Sequence, residues 1–145
     1  MPFDHEKFDV YRLALQFLDI SNQVIEKLPR GRAYLADQLQ RAASSIVLNI
    51  AEGAGKYAPA DKAAFYGRAR ASAGESSAVI DALATLKLMP QTAFATSKTM
   101  LNEIGKMLTN LIRAQQRRLQ PTRDPQPEPS PSPQPDPQPK DDSQA

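Results

Sequence analysis

The chain has 145 residues, enough for one domain of ordinary size and too few for two. It contains no cysteine and a single histidine, which excludes a disulfide framework, a thiolate metal site and a cysteine nucleophile. The net charge of +2 is unevenly placed: residues 1–120 carry 16 Lys/Arg against 11 Asp/Glu, whereas residues 121–145 carry 2 against 5, so a basic body precedes an acidic end.

No long apolar stretch follows the opening Met-Pro-Phe-Asp-His-Glu-Lys, and no run approaches the roughly 18 apolar residues of a membrane span. The sequence therefore reads as a soluble, cytoplasmic protein without a membrane partner. From Phe8 to Leu28 there is neither Gly nor Pro, and Val10, Leu13, Phe17, Ile20 and Val24 recur at heptad spacing. Tyr11, Ala14, Leu15, Leu18, Ile25 and Leu28 fill an adjacent stripe, wide enough to suggest that part of this first helix faces another subunit. The other possibility is that the whole arc lies deep in its own bundle.

Pro29-Arg30-Gly31 breaks the first helix, and a second is predicted from about Arg32 to Glu52, with Leu35, Leu39, Ala42, Ile46 and Ile50 on one face. Gly53 and Gly55 are expected to end it through the left-handed conformation that glycine tolerates. Pro59 in a first-turn position opens a third helix, with Asp61 close behind to favour the helix dipole. This helix should extend to about Leu88, before Pro90, and Ala69, Ser72, Ala73 and Ser76 give it small residues for close packing. A fourth is predicted from about Thr92 to Leu119, with a stripe of Leu101, Ile104, Leu108 and Leu111 flanked by Met100, Met107 and Ile112. Short connections make neighbours antiparallel, so the expected fold is all-α, an up-down-up-down four-helix bundle over residues 1–120.

Nine of the thirteen prolines follow Leu119, and residues 121–145 read as a disordered Pro/Gln/Asp-rich tail. Proline occupies every second position from Pro125 to Pro139, which gives an extended spacer at about 3.1 Å per residue. No Pro-x-x-P spacing arises, so the usual SH3 ligand motif is missing. The acidic tail is placed to shield the basic end of the fourth helix by electrostatic competition.

The run Gln38-Leu39-Gln40-Arg41-Ala42-Ala43-Ser44-Ser45-Ile46-Val47-Leu48-Asn49-Ile50-Ala51-Glu52-Gly53-Ala54-Gly55-Lys56 resembles the signature of the four-helix-bundle proteins encoded in 23S rRNA intervening sequences. Phe8-Asp9-Val10-Tyr11, the Tyr66 to Glu75 stretch and Gly105-Lys106-Met107-Leu108-Thr109-Asn110-Leu111-Ile112 resemble the same family in the same order, over about residues 8–116. The resemblance implies a homopentamer without catalysis. Relatives include the accessory variability determinant of diversity-generating retroelements, which works beside a reverse transcriptase and nucleic acid. It therefore also implies a possible RNA, DNA or reverse-transcriptase partner, although the intervening-sequence branch carries no established biochemical activity.

Arg41, Ser45, Asn49 and Glu52 fall on one face of the second helix, and Arg68, Ser72 and Glu75 share a face of the third. They read as a structural polar network in which Glu75 pairs with Arg41 across the bundle or across a subunit boundary; the alternative is a solvated face. No His, Cys or opposed carboxylate pair marks acid–base or nucleophilic chemistry, so no catalytic residue and no enzyme activity is expected. The Glu-x-x-His element of bundle metal sites is missing, leaving no metal or cofactor to expect. Gly53-x-Gly55 follows a helix and lacks the Gly-Lys-Ser/Thr ending of a phosphate loop.

Folded up and down, the bundle gathers Lys56, Lys62, Arg113, Arg117 and Arg118 at one end, and Lys27, Arg30, Arg32 and Lys87 at the other. Each set is a candidate phosphate grip, although Asp4, Glu6, Glu52 and Asp61 dilute the first, and solubilising surface charge is the plainer reading. No exposed aromatic platform is evident and Trp is absent, so sequence-specific readout is not expected. A protein-binding adaptor whose basic ends dock an acidic partner, such as a polymerase, is the alternative function.

Overall fold

The computed structural model describes residues 2–120 together with 133, 135 and 136, so the expected tail otherwise lies outside the described residues. Four helices follow a single 3-10 turn at Asp4–Lys7: α1 (Asp9–Glu26), α2 (Ala33–Gly55), α3 (Pro59–Thr85) and α4 (Gln91–Leu119). There is no strand among the described residues. Gly53 meets Tyr66 while Ser45 meets Ser72, so numbers rise along α2 as they fall along α3. Packing runs in cyclic order, α1 on α2, α2 on α3, α3 on α4 and α4 back on α1, and the backbones of diagonal helices come no closer than 8 Å between Cα atoms. This is the expected up-down-up-down bundle.

No helix has a side-chain hydrogen bond at its N-cap, where Phe8, Arg32, Ala58 and Pro90 stand, so the elements depend on packing for stability. The core runs the length of the bundle through Phe17, Leu39, Ile46, Ile50, Tyr66, Ile80, Leu83, Ile104 and Leu108. All five residues predicted for the apolar face of α2 are buried, and the small face of α3 is buried at Ala69, Ala73 and Ser76. In α1 the buried line is Val10, Ala14, Phe17, Ser21 and Val24, so the inward phase differs from the predicted stripe. Leu13 and Ile20 are half-buried and pack beside that line, while Tyr11, Leu18 and Ile25 flank its other side. Two small residues at the centre of the face let α1 sit close, and the bulky ones wedge against its neighbours.

The connections correct two further expectations. Gly31 takes φ +92° between α1 and α2, the left-handed geometry that favours glycine. Gly53 and Gly55 have no such backbone and lie inside α2, which stops only at Lys56. Helix α3 ends three residues earlier than predicted, at Thr85. There the Leu88 N–H reaches the Leu83 carbonyl at 2.8 Å and the Lys87 N–H reaches that of Ala84 at 3.0 Å. This double closure is a Schellman motif, with Lys87 at φ 58° in the left-handed position that glycine usually fills.

Three core hydroxyls, on Ser21, Ser76 and Ser97, are fully buried with no hydrogen-bond partner among the described residues. A buried donor without a partner costs about 1–3 kcal/mol. Ser21→Ala, Ser76→Ala and Ser97→Ala should therefore each raise the unfolding free energy by about 1 kcal/mol in urea melts, because each keeps the small volume and removes the unpaired hydroxyl.

Candidate functional site

The end of the bundle where α2 and α4 finish and α3 begins holds the first predicted set of basic residues, but it does not leave them all available. Lys62, in the first turn of α3, donates to the carbonyls of Gly53 at 3.2 Å and Ala54 at 2.9 Å. It thus caps the C-terminus of α2, where a cation also meets the negative end of the helix dipole. Lys56 lies 3.9 Å from Glu52 and 5.3 Å from the centre of the Phe65 ring, whose environment also includes Arg68 at 4.7 Å. Two of the predicted phosphate-binding lysines are thus engaged within the chain.

Arg113, Arg117 and Arg118 remain exposed on the last turns of α4, with Arg118 donating to Gln115 at 3.3 Å. From Ile104 to Gln120 the helix carries Lys106 and these three arginines and no carboxylate. At the same end Tyr57, in the connection between α2 and α3, is 98% exposed. The expectation that no aromatic ring stands in solvent is overturned here, because Tyr57 sits in a connection with no helix covering it. Phe3 and Tyr34 are exposed as well. At the opposite end Arg32 donates to the Tyr34 hydroxyl at 3.1 Å, and Arg30 is exposed in the α1–α2 connection.

The predicted polar network is only partly assembled. Asn49 donates to the backbone carbonyl and the hydroxyl of Ser45, at 2.8 and 2.9 Å, and Ser72 donates to the same hydroxyl at 2.8 Å, tying α2 to α3. Arg41 instead donates to the Asp37 carbonyl of its own helix at 3.4 Å, and Glu75 joins no ion pair among the described residues. The pairing of Arg41 with Glu75 is therefore not made within the chain: both side chains point to solvent, and small serines fill the seam between them. Beside this row Leu48 is 63% exposed in the middle of α2, and Leu15 of α1 is also exposed.

The seam between α3 and α4 brings together residues that the sequence did not single out. Arg70 on α3 and Lys106 on α4 share a groove with Arg113, and Asn102 and Asn110 lie beside them. The signal for this was faint: a stripe at positions 102, 106, 109 and 113 of α4, visible only once the partner helix is known. Among the described residues no group of three or more His, Asp or Glu side chains gathers as a metal site would require, and no helix is long and apolar enough to cross a membrane.

Residues 6–110 match the family model of the 23S rRNA-intervening sequence protein. No curated protein matches the chain in sequence. The match spans every helix of the bundle except the last turns of α4, where Arg113, Arg117 and Arg118 lie beyond it. With most of its length matched and its four helices closed into one bundle, the chain belongs to the 23S rRNA-intervening sequence protein family.

Proposed function

We propose that this chain is a non-enzymatic, self-assembling scaffold that associates with nucleic acid through the basic end of its bundle. The observation that carries the reading is that three exposed arginines, Arg113, Arg117 and Arg118, stand at the same end of the bundle as the solvent-facing ring of Tyr57. Arginines neutralise phosphates, and an exposed ring offers a face on which a base can stack regardless of its identity. Assembly multiplies the effect, since five copies bring about five times the body charge to one particle. Leu48, Leu15 and the half-buried flank of α1 supply the apolar surface for contact between copies. A cyclic pentamer requires two different patches that fit each other, and Arg41 and Glu75 are placed to take part in such a contact.

The exposed Leu48 also favours a second reading, in which the same bundle is an adaptor for a protein such as a reverse transcriptase. Light scattering on the purified full chain, followed by titration with labelled RNA and DNA over a salt series, separates the two. A mass five times the 15.9 kDa chain and binding that weakens steeply with salt are expected. A particle that binds neither polymer at low salt overturns the nucleic-acid reading and leaves the adaptor.

A further inference from the structure

On the outer side of the bundle the seam between α3 and α4 forms a groove of about 720 Å³. Its walls are two stripes at helical spacing, Arg70 and Ser77 on α3, and Asn102, Lys106 and Arg113 on α4. Gly74 and Gly105 lie along it, and a Cβ built on either would touch nothing within 4 Å. The seam is therefore open because side chains are absent, and close helix contact is not what these glycines serve. Lys98 and Asp81 form an ion pair at 2.9 Å, and Lys98 also donates to the Ser77 hydroxyl at the same end of the groove.

The electrostatics of the groove are one-sided. Arg70, Lys106 and Arg113 are exposed and join no ion pair among the described residues, and no carboxylate lines the groove. Lys106 and Arg113 stand two turns apart on α4, a rise of about 10 Å, with Arg70 across from them on α3. Cations spread over that length of helix match the repeating charge of a strand. Asn110 lies between Lys106 and Arg113 and Asn102 one turn beyond Lys106, both neutral amides that donate and accept hydrogen bonds. Phosphates ask for donors alone, but a ribose 2′-hydroxyl both donates and accepts, and it alternates with phosphate along RNA. No aromatic residue lines the groove, so it has nothing on which to stack bases.

We infer that the α3–α4 groove is a track for the sugar–phosphate backbone of RNA, in which Arg70, Lys106 and Arg113 bind phosphates and Asn102 and Asn110 bind 2′-hydroxyls. This rests on the nucleic-acid reading above and extends it from the end of the bundle along its side. The groove selects RNA by its backbone and is indifferent to base sequence.

The test uses fluorescence anisotropy of the full chain with a labelled single-stranded RNA of mixed sequence, and with DNA of the same sequence, over a series of KCl concentrations. In Arg70→Gln/Lys106→Gln, which spares the Arg113 shared with the bundle end, the slope of log Kd against log salt should fall by about 1.4, as expected for two lost contacts to a single strand, with RNA binding weakened at least about fivefold at low salt. Asn102→Ala/Asn110→Ala should keep the slope and lose the preference for RNA over DNA. Arg12→Gln, an exposed position on α1 that belongs to neither basic set, serves as the control and should bind as the parent chain does. All of these positions are exposed, and circular dichroism melts verify that each variant folds. An Arg70→Gln/Lys106→Gln chain that binds like the parent, while Arg117→Gln/Arg118→Gln loses binding, overturns the groove and leaves the end-on reading intact. Equal affinity of the parent chain for RNA and DNA overturns the 2′-hydroxyl assignment. A parent chain that binds neither polymer overturns the track and the proposed function together.

Discussion

Gly53→Ala should lower the unfolding free energy by about 1 kcal/mol, the net of an overpacking penalty of about 1–3 kcal/mol and a gain in helix propensity of about 1 kcal/mol. Its Cβ would stand 2.7 Å from Cε1 and 2.9 Å from Cδ1 of Tyr66, and 3.1 Å from Cβ of Phe65. Neither neighbour yields easily: the Tyr66 ring is 1% exposed, and the Phe65 atom is fixed to its backbone. Gly55 and Gly105 offer internal controls, since a Cβ at either meets nothing within 4 Å. Alanine at those positions should stabilise by about 0.5–1 kcal/mol through propensity alone. Urea melts of the three variants decide the matter, and the Gly53 penalty should shrink by about 1 kcal/mol or more in a Tyr66→Leu background, the sign of direct coupling. A Gly53→Ala chain as stable as its parent would show that the end of α2 does not need this close approach.

Alkaline pH should unfold the protein through the same tyrosine. Burial, with a smaller contribution from the negative charge of Asp4, pushes the Tyr66 phenol from its usual 10 up to about 12. Above pH 10 the unfolded chain gives up this proton while the folded chain retains it, so the unfolded state is favoured as pH rises. The stability tied to this group is complete below pH 10 and falls through the interval to about pH 12, a loss of about 3 kcal/mol at roughly 1.4 kcal/mol per unit. Tyr66→Phe keeps the ring against Gly53 and removes the ionising group. Its stability at pH 7 should stay within about 1 kcal/mol of the parent, and its decline between pH 10 and 12 should be smaller by about 3 kcal/mol. Parallel declines in the two proteins would exclude Tyr66 as the cause.

What could be read in advance depended on how a residue acts. The α2 face from Leu35 to Ile50 was legible because large apolar side chains repeat at the helical period and nothing competes with them. The phase of α1 was misread because its line of contact runs through Ala14 and Ser21, which carry little hydrophobic signal, while the louder Leu13 and Ile20 sit beside it. The end of α3 was placed late because Lys87 does the work for which glycine is the usual marker. Gly53 was recognised as special for the wrong reason, since a stop and a close approach leave the same letter in the sequence. Charge was the least legible property. Lys56 and Lys62 look like free cations until Glu52, Phe65 and the end of α2 are seen beside them. Arg70 and Lys106, some 36 positions apart, become one feature only when two helices are laid side by side.

The cyclic order of helix packing also bears on how the chain reaches its fold. Every helix touches the one before or after it in the sequence, and α1 against α4 is the sole contact between the described helices that closes over the length of the bundle. Loop closure is therefore cheap for three of the four interfaces, each a hairpin with a short connection. Such a low contact order belongs to the fast folders, in the range of microseconds to milliseconds. Closing α1 against α4 is the helix interface that spends long-range loop entropy.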